Sequence, residues 1–120
     1  MGLKPCAINV LMQTDPASAP YWKRIEAWRV NEYFAVHRPA CAGDFALQGR
    51  WRVTHIPTGY LMAASDSRDL AVRIARRLAA VRGINWASTE VNLILDAPLK
   101  ARDAARAAAY LPPMKKGTRA

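Results

Sequence analysis

Apolar and polar residues alternate loosely at the start of the chain. Ile8, Val10 and Met12 share one face of 7–13, a period of two that predicts a first strand, ended by Asp15 and Pro16. From Ser18 the spacing lengthens. Trp22, Ile25 and Trp28 recur every third residue, Ser18 can cap, and Pro20 suits a first turn, so a short helix is expected over 18–28, although the same letters also alternate as a strand. Alternation returns in 28–39, with Val30, Phe34 and Val36 on one face and Arg29, Asn31, Tyr33 and His37 on the other. Pro39 ends that strand. The small residues and two glycines of 40–49 read as a connection.

Residues 50–65, RWRVTHIPTGYLMAAS, carry a hairpin signal: Pro57 stands at the second position of a turn and Gly59 where a left-handed residue is needed. Pairing Ile56 with Tyr60 would put Trp51, Val53, Leu61 and Ala63 on an apolar face. Arg50, Arg52, Thr54, Ile56, Tyr60 and Met62 would take the other. A helix follows over 66–82, capped by Ser65 or Asp66 and closed by Gly83. Leu70, Ile74, Leu78 and Val81 line its inner side, and Arg73, Arg76, Arg77 and Arg82 lie on or near the outer one. Val91, Leu93 and Leu95 then suggest a further strand, and Asp96 with Pro98 opens an alanine-rich helix that Pro112 and Pro113 end.

The expected architecture is therefore α+β: a mostly antiparallel sheet with a central hairpin at about 50–65 and two or three helices packed on one face. Residues 1–112 are expected to form one globular domain and 113–120 a flexible basic tail.

Charge changes the picture most. Among 120 residues, 18 Lys and Arg face 9 Asp and Glu, a net charge of +9, with arginine the commoner cation at 13 against 5 lysines. A positive field around a small body favours acidic partners, and the guanidinium fork suits phosphate or carboxylate. Arginine and alanine abundance also fits a GC-rich bacterial or phage genome. If the outer faces of the two middle strands coincide, Arg29, Tyr33, Arg50, Arg52 and Tyr60 would form one surface. Guanidinium there supplies phosphate contacts and tyrosine a stacking plane for bases. Arg73, Arg76, Arg77 and Arg82 repel one another within their helix, a cost that an acidic partner would relieve. The expected function is a non-enzymatic protein binding RNA, DNA or a nucleoprotein complex.

An alternative is a protein-binding inhibitor of a host defence system, of the anti-CRISPR kind encoded by phages and mobile elements, with Trp22, Trp28 and Trp86 as its anchors. A second alternative is a small uncharacterised enzyme, which would need His37 or His55 beside a carboxylate. No Gly-x-Ser-x-Gly elbow, glycine-rich phosphate loop or recognisable carboxylate pair supports catalysis, so neither an enzyme nor a cofactor is expected. Cys6, His37, Cys41 and His55 are four potential zinc ligands, yet only His37 and Cys41 are close in sequence, and no metal is expected. The two unpaired cysteines, the lack of a membrane-length apolar run and the brevity of the first apolar segment point to the cytoplasm, away from membranes. Ala101, Ala104, Ala105 and Ala108 would let helices approach closely, so a homodimer is a further expectation.

The order helix, three strands, helix over 18–82, together with SRDLAVRIARRLA after the third strand, resembles the double-stranded-RNA-binding domain. Ser67 and Arg68 match the serine and first basic residue that open that family's closing helix, and Ala71 and Ala75 match two alanines. Asp69 and Val72 stand where that family carries further basic residues, and no glycine-rich lead-in precedes Ser67. The resemblance implies an α-β-β-β-α topology.

Overall fold

The computed structural model describes residues 3–12, 17, 19–39, 50–90 and 92–109. Five strands form one antiparallel sheet: β1 (Lys4–Met12), β2 (Tyr21–Arg29), β3 (Phe34–His37), β4 (Trp51–His55) and β5 (Tyr60–Ser65). Spatial order equals chain order. Two helices follow, α1 (Arg68–Ala79) and α2 (Leu99–Ala109). The α+β class and the antiparallel sheet thus stand.

Four elements differ from expectation. The strand expected over 28–39 is broken: Trp28 and Arg29 end β2, residues 30–33 turn, with the Val30 amide donating to the Phe34 carbonyl at 3.0 Å, and only Phe34–His37 form β3, because a tight connection is needed to bring β3 back antiparallel to β2. The segment expected as a helix over 18–28 is instead β2, paired with β1 along its whole length from Lys4↔Arg29 to Met12↔Tyr21. Its aromatic and β-branched residues fit a pleat, and a full ladder outweighs the helical spacing of Trp22, Ile25 and Trp28. With that helix gone, the topology implied by the double-stranded-RNA-binding resemblance is gone too. The strand expected around Val91–Leu95 does not form among the described residues: 92–96 coil through turns, with the Asp96 amide donating to the Asn92 carbonyl at 2.8 Å, and Val91 lies outside the described residues. Leu93 and Ile94 pack from outside the sheet, half-buried against its core. The 50–65 hairpin forms as β4 and β5, but at one end of the strand order rather than at its centre.

Its turn is one residue longer than expected. His55 pairs with Tyr60, Gly59 takes φ 73°, and the Gly59 amide donates to the His55 carbonyl at 2.7 Å. A register shift between Val53 and Thr54 then sets Leu61 opposite Thr54 while Ala63 stays opposite Val53. Leu61 therefore leaves the Trp51–Val53 face assigned to it from sequence, a usual consequence of a bulge.

α1 begins two residues later than 66. Ser67 is the cap, its hydroxyl accepting from the Leu70 amide at 3.1 Å, while Ser65 donates to the Ser67 carbonyl at 2.7 Å. Ala71, Ile74, Ala75 and Leu78 are buried along α1, which lies across β3, β4 and β5. α2 packs on α1 through Ala101, Ala105 and Ala108. The small residues expected to mediate self-association are thereby used within the chain, Ala104 alone remaining exposed. The tail 113–120 and Cys41 lie outside the described residues.

The sheet has a core on each face. On the helix side, Phe34, Val36, Val53 and Ala63 meet α1, Trp86 and α2. On the other, Ile8, Val10, Met12, Ala27 and Ala35 meet one another, because β1 and β2 curl over β3 and β4. The curl carries β1 to the β4–β5 turn, where the Leu11 amide donates to the Gly59 carbonyl at 3.0 Å. The result is a partly closed barrel with helices on its outside.

Candidate nucleic-acid interface

The curl decides which basic residues are accessible. In β3 and β4, Ala35 pairs with Thr54 and His37 with Arg52, and these side chains point into the closed side. Arg52 and Thr54 are each 1% exposed. Arg52 donates from Nη1 to the Trp51 carbonyl at 3.4 Å, and Thr54 Oγ1 lies 2.7 Å from His37 Nε2. The polar strand face expected to be a working surface is therefore interior at its centre. Tyr33 and Tyr60 are half-buried, Tyr33 against the helix-side core. Arg29 is exposed, with Nη1 donating to the Glu32 carbonyl at 3.1 Å, and Arg50 is exposed beside Trp51. These five residues do not form one surface.

The helical arginines fare differently. Between α1 and the first strands runs a groove of about 730 Å³ whose lining includes Trp28, Arg68, Asp69, Val72, Arg73 and Arg76. Three guanidiniums meet one carboxylate there, and among the described residues none of the three is hydrogen-bonded or ion-paired through its side chain. Arg73 and Arg76 are brought together by one turn of α1, whose opposite side is anchored by Ile74 and Leu78. Arg77 turns to α2, donating from Nη2 to the Ala107 carbonyl at 3.4 Å. Arg82 lies beyond the helix end, exposed and apart from the groove.

Trp28 supplies the aromatic wall. Its ring sits 5.8 Å from that of Trp51, tilted by 58°, and the Arg38 guanidinium lies 5.2 Å from the Trp51 ring centre. Cations over aromatic rings are favourable, and the pair continues the basic groove into a mixed arginine–tryptophan surface. The sequence reading missed Arg38, took Trp28 only as an anchor for a protein partner and took Arg68 only as part of the family resemblance. Trp28 shares a face with Trp51 only once β2 is a strand.

The histidines are structural. His55 is fully buried, its Nε2 donating to the Trp86 carbonyl at 2.6 Å and its Nδ1 accepting from the Thr58 hydroxyl at 2.8 Å. Thr58 Oγ1 also accepts from the Tyr60 amide at 3.2 Å, so the imidazole pins the turn. His37 donates from Nδ1 to the Arg38 carbonyl at 2.6 Å on the opposite face of the sheet. The two rings cannot share a metal, and among the described residues no three His, Cys, Asp or Glu side chains cluster as ligands.

Burial holds the His55 pKa below its ordinary 6.5, although the Trp86 carbonyl opposes that shift. The sign follows from proton counting: below about pH 6.5 the unfolded imidazole takes up a proton that the folded one refuses. Stability is therefore complete above that pH. It is expected to fall with acidification by at most about 1.4 kcal/mol per pH unit until the folded group titrates. Urea titrations of wild type and His55→Gln across this range check it, because the difference in their pH slopes isolates His55. Parallel slopes would exclude the effect.

No helix among the described residues is long and apolar enough to cross a membrane. Compared with known proteins, the chain matches no family model, and no significant match is found to any curated protein or solved structure.

Proposed function

We propose that the protein is a small, non-catalytic binding protein of the cytoplasm that engages nucleic acid, alone or within a nucleoprotein complex, through the α1 groove. The observation that carries this reading is the set Arg68, Arg73 and Arg76, unpaired and facing a tryptophan wall in a groove with a single carboxylate. Mutually repelling cations cost stability, and phosphates would offset that cost while releasing counterions. The chain's net +9 adds long-range attraction.

Affinity for a mixed-sequence oligonucleotide, measured by anisotropy across a salt series, is expected to fall steeply as salt rises. In Arg73→Gln/Arg76→Gln the slope of log affinity against log salt should shrink by about 2, one for each phosphate no longer neutralised. Wild-type binding that is absent at low salt, or an unchanged slope in the variant, would defeat the reading.

A protein target is the second reading, and one observation favours it: Trp22 is 58% exposed, with Leu95 at 67% and Leu99 at 63%. Of the other tryptophan anchors considered for it, Trp86 is buried at 4% and Trp28 is half-buried. Such a partner would bind with little salt dependence.

A further inference from the structure

Trp22 is placed unusually for an exposed indole. It stands on β2 opposite Leu11, and its six-membered ring reaches the seam where β1 meets the β4–β5 turn. A side chain at Gly59 would collide with Cζ3 of that ring and with the Asn9 carbonyl oxygen, so the ring, the turn and the β1 backbone are in close contact. One side of the indole is therefore fixed against the barrel, yet 58% of the residue remains open to solvent. An aromatic plane already ordered in the free protein loses little entropy when a second ring stacks on it.

Beside it lies a cleft of about 380 Å³, within the roughly 300–1,000 Å³ of small-ligand sites. Its lining includes Trp22, Arg24, Arg29, Asn9, Thr58 and Gly59, with no carboxylate. Arg24 is oriented there by donation from Nη1 to Asn9 Oδ1 at 3.2 Å. An indole plane next to Arg24 along β2, with Arg29 farther along the cleft and no acid in its lining, matches a flat aromatic ring carrying negative charge beside it.

We infer that the cleft is a stacking site for one unpaired nucleobase, its flanking phosphate held by Arg24. This rests on the nucleic-acid reading above and sharpens it. A base inside a duplex has both faces covered and cannot lie on Trp22, whereas a single strand can splay one out, so the site confers preference for single-stranded over duplex nucleic acid.

The test compares an oligothymidylate with a duplex of equal length, bound to wild type, Trp22→Leu, Trp22→Phe and Arg73→Gln/Arg76→Gln. Leucine keeps an apolar cover over Gly59 and removes the ring plane. Trp22→Leu is expected to weaken oligothymidylate binding about 5- to 150-fold, the range for losing one base stack, with duplex affinity unchanged and Trp22→Phe intermediate. Thermal melts confirm that the variants fold, and neutral Arg24→Gln, which leaves the ring in place, should lower oligothymidylate affinity on its own. The inference is overturned if Trp22→Leu and Arg24→Gln both bind oligothymidylate as wild type does, or weaken both probes equally. If only the α1 double variant then loses affinity, the groove reading survives alone. If wild type binds neither probe at low salt, both readings fail, and a salt-insensitive protein target takes their place.

Discussion

Phe34→Ala is expected to cost about 3–5 kcal/mol of stability, the largest loss of any single substitution proposed for this chain. Phe34 is fully buried at the start of β3. Its ring meets Trp86 edge-on at 5.0 Å and His55 at 5.4 Å, and Trp86 and His55 are themselves 5.5 Å apart. The three rings join the sheet to the segment between the helices. Trp86 is held there by its rings and its backbone, since its indole Nε1 is buried without a hydrogen-bond partner. Removing the phenyl ring leaves a cavity and releases Trp86 as well. A guanidinium chloride titration reads the effect as a lower midpoint with an unchanged slope, and Phe34→Leu should lose much less. A loss below about 1 kcal/mol for the alanine variant would mean that the rings do not act together.

Gly59→Ala ranks second, at about 2–4 kcal/mol, with two causes that can be separated. The first is conformational: at φ 73° an L side chain is strained, by roughly 1–2 kcal/mol. The second is steric, because the added methyl carbon would lie 2.7 Å from the Asn9 carbonyl oxygen and closer still to the Trp22 ring. The ring can swing away. The β1 backbone cannot, unless the Leu11–Gly59 hydrogen bond lengthens. In a double-mutant cycle with Trp22→Ala, part of the loss should be recovered and most of it retained, locating the strain in the backbone. Full recovery in Gly59→Ala/Trp22→Ala would show instead that the ring alone was obstructed. Denaturant titration of the four proteins supplies the cycle.

Much of this fold is written in short-range pattern. The alternation of Ile8, Val10 and Met12, the Pro57–Gly59 turn and the Ile74 and Leu78 positions of the inner stripe all correspond to elements of the structure, whereas Leu70 is only half-buried and Val81 lies beyond the end of α1. β2 was ambiguous because Trp22, Ile25 and Trp28 keep a helical spacing while the segment's aromatic and β-branched residues also suit a strand, and only its pairing with β1 selects the strand. Arg52 illustrates a deeper limit. A pleat reveals which side chains share a face, but whether that face is covered depends on how far the sheet coils. A clue was present in the apolar face of β1: with helices on one side of the sheet, Ile8, Val10 and Met12 needed cover on the other, and Ala27 and Ala35 are small enough to let strands approach there. The groove was half legible. Arg73 and Arg76 follow from helix spacing, whereas Trp28 joins them only through the ladder.

The seam also bears on how the chain behaves when crowded. A strand at the end of a sheet offers open amides and carbonyls to any extended segment, including another copy of itself, and so can template fibrous assembly. In β1 the amides alternate between its two edges, and because Leu11 points away from β2, the positions in step with it are 9, 7 and 5. At the upper end that edge is occupied by the Gly59 carbonyl. At the lower end stands Pro5, which has no amide to offer, next to the charge of Lys4. With its exposed margin blunted at both ends, β1 gives neighbouring molecules little to zip onto when the protein is concentrated.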